Sequence, residues 1–156
     1  MNPRIDFMKI ALREAMSAKS KGDYAIGAVI VYGDAIVCRS ENRVKRDESP
    51  VGHAEILAIA GAARILKRRH LTDCILYSTH EPCPMCATAA IFARLKGIVF
   101  GARWTDMQTY SLKHRNGIFL WRTVGMPCKE IIGKSDETIA VIPDFMREDC
   151  VALFHH

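Results

Sequence analysis

The stretch CILYSTHEPCPMCATAAIFARLKGIVF, residues 74–100, decides the architecture. CILYST is β-branched and apolar and reads as a buried strand over 74–79. Pro84 suits the first turn of a helix, where its missing N–H costs nothing. The apolar spacing of MCATAAIFARL carries that helix to Leu95, Gly97 ends it, and Ile98-Val99-Phe100 forms another strand. A strand, a helix and a second strand thus follow one another within 27 residues.

Outward from this unit the same alternation continues. Residues 53–69 repeat apolar side chains at helical spacing, and Lys67, Arg68 and Arg69 fall in the expected last turn, where cations complement the helix dipole. Residues 25–32 and 36–38 form a hairpin about Gly33-Asp34, and Ile5, Met8, Ala11, Leu12, Ala15 and Met16 line one face of a helix over 4–20. Residues 40–52 are polar and basic and read as a loop. Residues 101–137, with Gly117, Trp121, Gly125 and Pro127, show no clean period and read as a long loop with short irregular helices. A last strand is expected over 138–142 and a last helix over 144–154, capped by Asp144. This order implies an α/β fold with a mixed sheet covered by helices on both faces.

At 156 residues the chain suits one domain spanning 1–156. An apolar share of 49% and a charged share of 25% exclude a disordered chain. The longest apolar runs, 24–32 and 56–63, are far short of the roughly 20 residues a membrane span needs, and the charged N-terminus has no signal-peptide core. A soluble, cytoplasmic protein is expected. The net charge of +5 suits phosphate-bearing partners without requiring one. The six cysteines read as thiols rather than a disulfide framework.

Chemistry concentrates in His53-Ala54-Glu55 and Pro82-Cys83-Pro84-Met85-Cys86. A catalytic zinc takes three nitrogen or sulfur ligands and leaves a fourth position open, and His53, Cys83 and Cys86 supply such a set. Each group opens an expected helix, where free N–H groups favour thiolate over thiol. Pro-Cys-x-x-Cys arises by accident fewer than about 0.01 times in this composition. The alternatives are a redox Cys-x-x-Cys or a structural zinc completed by His80 or His114. Neither has a use for Glu55 beside His53.

These segments, with IGAVIV, ENRV, GHAEILAI, LYSTHEPCPMCATAAI and VFGAR, resemble the zinc-dependent cytidine deaminase-like superfamily over residues 5–103. The branch is the one holding tRNA adenosine deaminase, bacterial guanine deaminase and fungal cytosine deaminase. The resemblance implies a three-layer α/β/α fold with a five-stranded mixed sheet, one Zn2+ per chain, and a homodimer or larger homo-oligomer. It implies that Glu55 is the catalytic acid and base, that His53, Cys83 and Cys86 hold the metal, and that the N–H groups of Ala54 and Cys83 assist. Asn42 is the expected reader of a base edge. His80, Trp104 and Asp106 are expected at the substrate, with Asp106 accepting from an amidine edge and Tyr110 available to stack on a base. The stretch GARWTDMQTYSLKHRNG differs from the glycine-containing segment of the tRNA enzymes, and the terminal helix lacks a dense basic cluster. The expected substrate is therefore a free nucleobase, nucleoside or related small heterocycle. A tRNA wobble adenosine is the alternative, and a noncatalytic RNA-binding module comes third.

Overall fold

The computed structural model describes residues 1–114 and 124–154. Five strands form one mixed sheet in the order β2-β1-β3-β4-β5: β1 Gly27–Tyr32, β2 Ala35–Glu41, β3 Cys74–His80, β4 Gly97–Ala102 and β5 Ala140–Ile142. β1 pairs antiparallel with β2 and β3, whereas β3–β4 and β4–β5 are parallel. The helices are α1 Ile5–Ser20, α2 Ala54–Ile65, α3 Pro84–Phe92, α4 Trp104–His114, α5 Cys128–Gly133 and α6 Arg147–Ala152.

Side-chain alternation along the strands separates two cores. Val29, Val31, Tyr77 and Val99 pack with Phe7, Met8, Ala11 and Ala15 of α1, Met107 of α4 and Cys150 of α6. Ala28, Ile30, Leu76, Ile98 and Phe100 face the other way, onto Ala54, Ala58 and Ala62 of α2, Ala87 and Ala90 of α3, and Cys128 and Ile132 of α5. The three-layer α/β/α arrangement with a five-stranded mixed sheet is the expected one. No helix among the described residues is long and apolar enough to cross a membrane.

Three local expectations need correction. α2 and α3 stop at Ile65 and Phe92, short of Arg69 and Leu95, although neither end carries glycine or proline. Lys67 and Arg94 adopt left-handed backbone with φ of 52° each. The following N–H groups, Arg68 onto Ala63 O and Leu95 onto Ala90 O, close paired C-terminal caps. The basic run thus lies beyond the helix, where Arg68 pairs with Asp73 and sits over the Tyr32 ring. Within 101–137, where a long loop with short irregular helices was expected, residues 104–114 form one eleven-residue helix. Its start is held by Asp106, which accepts the Arg103 N–H at 2.8 Å in half a capping box. Only Met107 of this helix is buried, so its sequence lacks a strong apolar period. Asp144 does not cap α6; it binds Arg103, and the cap position is Met146. Gly117 and Trp121 lie outside the described residues.

The α1 backbone lies directly on β1. A Cβ on Gly27 would sit 2.1 Å from Ala11 O and 2.5 Å from Ala15 N, both backbone atoms that cannot swing aside. Gly27→Ala is expected to cost about 1–3 kcal/mol of stability and lower Tm by roughly 3–10 °C in a thermal melt.

Candidate metal and catalytic site

Two helix starts converge at the end of the sheet. His53 is the N-cap of α2 and Cys83 the N-cap of α3, and Cys86 follows in the first turn of α3. Proline at 84 lets the chain enter α3 directly after Cys83. The Cys83 and Cys86 sulfurs are 3.6 Å apart, and His53 Nδ1 is 3.7 Å from the first and 3.5 Å from the second. Tetrahedral zinc, with sulfur at about 2.3 Å and nitrogen at about 2.0–2.1 Å, needs sulfurs about 3.8 Å apart and sulfur–nitrogen edges of about 3.6 Å. The three atoms already have that spacing, so the residues fit the metal.

A structural zinc completed by His80 or His114 has no support among the described residues, where neither joins His53, Cys83 and Cys86. His80 Nδ1 contacts Glu81 O at 3.0 Å, and its ring packs edge-on against Phe154. His114 Nδ1 contacts Tyr110 O at 2.8 Å. The grouping of metal-capable side chains found there is His53, Cys83 and Cys86, with no fourth side chain. Cys38, Cys74, Cys128 and Cys150 form no disulfide and lie outside that grouping.

Electrostatics favour a charged ligand set. The bond with Cys86 brings the Cys83 thiol down to about 4 against the opposing effect of burial, and His53 adds to the shift. The same bond, with burial, drives Cys86 well up, so the two sulfurs share a proton that a cation displaces. Burial opposes a charge on His53, but the Cys83 sulfur and Glu55 outweigh it and raise its pKa.

Glu55 lies in the first turn of α2 and is 3% exposed. The Ser78 hydroxyl donates to Oε1 at 3.3 Å. Oε2 is buried and has no hydrogen-bond partner among the described residues. Burial raises the Glu55 pKa, aided by Cys83 and opposed by His53 and Ser78. A buried carboxylate oxygen without a donor is costly, and such groups concentrate at functional sites. Ala54 is the first residue of α2, and its N–H is one of the donors a helix start leaves without an intrahelical acceptor.

The expected substrate residues are dispersed. Asn42 is 1% exposed, donates from Nδ2 to Asp23 Oδ1 at 2.8 Å, and holds a buried Oδ1 without a partner among the described residues. The Arg43 N–H donates to Gly52 O at 2.9 Å, tying the residue after Asn42 to the residue before His53. Asp23, not singled out from the sequence, also accepts the Tyr24, Lys45 and Arg46 N–H groups. Burial works against its charge, but these bonds prevail and lower its pKa. Its only sequence signal is an acid just ahead of an apolar strand. Trp104 is half-buried, with its ring over Gly125, where a Cβ would come within 3.2 Å of it. Asp106 has both oxygens engaged by Arg147 and one also by the Arg103 N–H, so it joins α4 to α6. Tyr110 stacks on His114 at 3.9 Å between ring centroids. Arg43 and Arg46 pair with Asp47 and Glu41, and Lys45 lies over Tyr24.

Purified protein is expected to contain one zinc per chain by elemental analysis, with His53→Ala, Cys83→Ala or Cys86→Ala each dropping the content below about a tenth of that. Acidification is expected to release the metal, because protons compete for the imidazole and both sulfurs.

Comparison with known proteins agrees with this site. Residues 1–102 match the family described as the cytidine and deoxycytidylate deaminase zinc-binding region. The tRNA-specific adenosine deaminase of Aquifex aeolicus is 43% identical over 96 residues, which cover 62% of this chain and 64% of that protein. The match therefore spans less than two thirds of that relative's length. The guanine deaminase of Bacillus subtilis is 35% identical over 125 residues, covering 80% of this chain and 78% of that one. Among solved structures, a chain from a study of A-to-I editing by tRNA:A34 deaminases at the wobble position of transfer RNA superposes with a TM-score of 0.76. It is 28% identical and is covered over 99% of its length by 96% of this chain. The metal that His53, Cys83 and Cys86 are positioned to hold is zinc, and the chain belongs to the zinc-binding family of cytidine and deoxycytidylate deaminases.

Proposed function

We propose that the protein is a zinc-dependent hydrolytic deaminase that converts the wobble adenosine of a tRNA anticodon to inosine. The observation that carries the deaminase reading is the buried Oε2 of Glu55, which has no hydrogen-bond partner among the described residues and lies two residues from His53 of the zinc ligand set. Zinc held there would supply a Lewis acid that lowers the pKa of water to about 7. Glu55 takes a proton from water and delivers it to the ring nitrogen beside the amine-bearing carbon. The water oxygen bonds to that carbon, the C–N bond breaks, and a second proton passing through Glu55 lets ammonia leave. Ser78 holds Oε1, which leaves Oε2 for proton transfer. The Ala54 and Cys83 N–H groups at the two helix starts are donors for developing negative charge. Asp23 holds the Asn42 amide nitrogen, so Asn42 offers Oδ1 to the substrate.

Three observations move the substrate reading from a free heterocycle toward tRNA. The A. aeolicus tRNA enzyme is 43% identical, and the A34-editing structure matches 96% of this chain. Asp106, the residue expected to read an amidine edge, is engaged by Arg147 and the Arg103 N–H. A free-base reading remains the second one, because the guanine deaminase match extends over 125 residues, beyond the 96 matched by the tRNA enzyme. A reducing cytoplasm suits a site whose thiols must stay unoxidised to ligate.

The test is inosine formation in a tRNA anticodon stem-loop, run beside ammonia release from guanine, cytosine, adenine, their nucleosides and triazines. Inosine is the expected product. Ammonia from small compounds without inosine would replace this substrate by the second reading. Tight RNA binding with neither product would leave a noncatalytic module. Glu55→Gln is expected to keep zinc and lower kcat by about 10²–10⁴-fold, and full turnover in that variant would remove the acid–base assignment.

A homodimer would bury the surface lined by Val51, Ile56, Met85 and Phe92, at the entry to α2 and along α3. Phe92 is 77% exposed, and a second copy would bury it. Phe92→Glu is expected to turn a dimer into a monomer by light scattering, whereas an unchanged mass would place the contact elsewhere.

A further inference from the structure

Glu81 is buried, 5% exposed, and stands between His80 of β3 and the Pro82-Cys83 metal-ligand segment. Its own N–H donates to Ala102 O at 2.7 Å, fixing it against the end of β4. Its carboxylate then reaches two elements distant in sequence. Oε2 accepts the Trp104 N–H at 3.1 Å, at the first residue of α4. Oε1 accepts the Cys128 N–H at 2.7 Å, at the first residue of α5. Both amides belong to helix starts, which have no intrahelical acceptor for them. The same two stretches meet a second time, where the Trp104 ring lies over Gly125. α5 also packs on α3, the helix that carries Cys86. One side chain two residues from a zinc ligand therefore clamps the starts of both helices.

We propose that Glu81 is a positioning residue that fixes the starts of α4 and α5 to the metal-ligand segment and so sets where Trp104 stands relative to the substrate. This rests on the deaminase reading above for the word substrate; the clamp itself does not. Nothing in the metal chemistry requires Glu81, whose oxygens are both used on backbone donors away from the ligand atoms. Glutamine keeps the shape but must turn an NH2 group toward one of two N–H donors, so one bond is lost. Substrate binding should then suffer while proton transfer at Glu55 does not.

Two measurements test this. In the zinc-loaded protein, hydrogen exchange at the Trp104 and Cys128 amides is expected to be strongly retarded; exchange at the rate of exposed amides would overturn the clamp. The second uses Glu81→Gln in a Trp121→Phe background, where Trp104 is the remaining tryptophan of two. The variant is expected to keep one zinc per chain, to shift Trp104 emission to the red, and to be more readily quenched by acrylamide. Its KM for the anticodon stem-loop should rise about tenfold with kcat held within about threefold, a split that loss of fold would not produce. Unchanged quenching and KM, or loss of zinc from a folded variant, would overturn the proposal. If Glu81→Gln does not fold, amide exchange in the unaltered protein decides. If the unaltered protein turns over no candidate substrate, the deaminase reading fails, whereas amide exchange and fluorescence still judge Glu81.

Discussion

The convergence of two helix starts on one small volume is the constraint everything else serves. α2 and α3 enter from the same end of the sheet, and their first residues bring one imidazole nitrogen and two sulfurs to separations of 3.5–3.7 Å. Three pairwise separations must hold at once for three donors to have tetrahedral spacing, and local sequence preference does not supply the two that reach from His53 to the sulfurs. The sheet does. β3 fixes where Cys83 emerges, β1 pairs with β3, and the Arg43–Gly52 hydrogen bond holds the loop that delivers His53. Small residues at Ala54, Ala58, Ala62, Ala87 and Ala90 let both helices lie close to that sheet.

The buried polar groups divide by whether their oxygens are spent. Asp23 and Glu81 use theirs on backbone N–H groups and behave as structural anchors. Asp106, half-buried, uses both of its oxygens on α6 and the cap of α4. Glu55 and Asn42 each satisfy one end of the side chain and keep one buried oxygen without a hydrogen-bond partner among the described residues. An unsatisfied buried acceptor costs about 1–3 kcal/mol, a burden that structural residues rarely carry. Residue type alone does not make this division, since four of these five are carboxylates.

The ligands were legible because their chemistry is tied to short spacing: His-x-Glu and Pro-Cys-x-x-Cys each place their groups within one helical turn. The strands and the first three helices were legible because each buries a continuous face, which writes a period into the sequence. The ends of α2 and α3 were not, because Lys67 and Arg94 adopt left-handed backbone where the sequence offers no glycine. α4 was not, because it buries Met107 and little else and is held by a cap and by ion pairs. Asp23, Ser78 and Glu81 were invisible as site residues, since each acts on a partner far along the chain.

Local order along the chain is enough to specify the alternating layers, the identity of the metal donors and the carboxylate beside them, because periodicity and spacing are short-range properties. Which acids are anchors and which is left open for chemistry depends on donors 20 to 50 residues away, such as Ser78 for Glu55 and Cys128 for Glu81. That pairing exists only once the sheet has brought the segments together, and it makes Asp106 a tie between two helices.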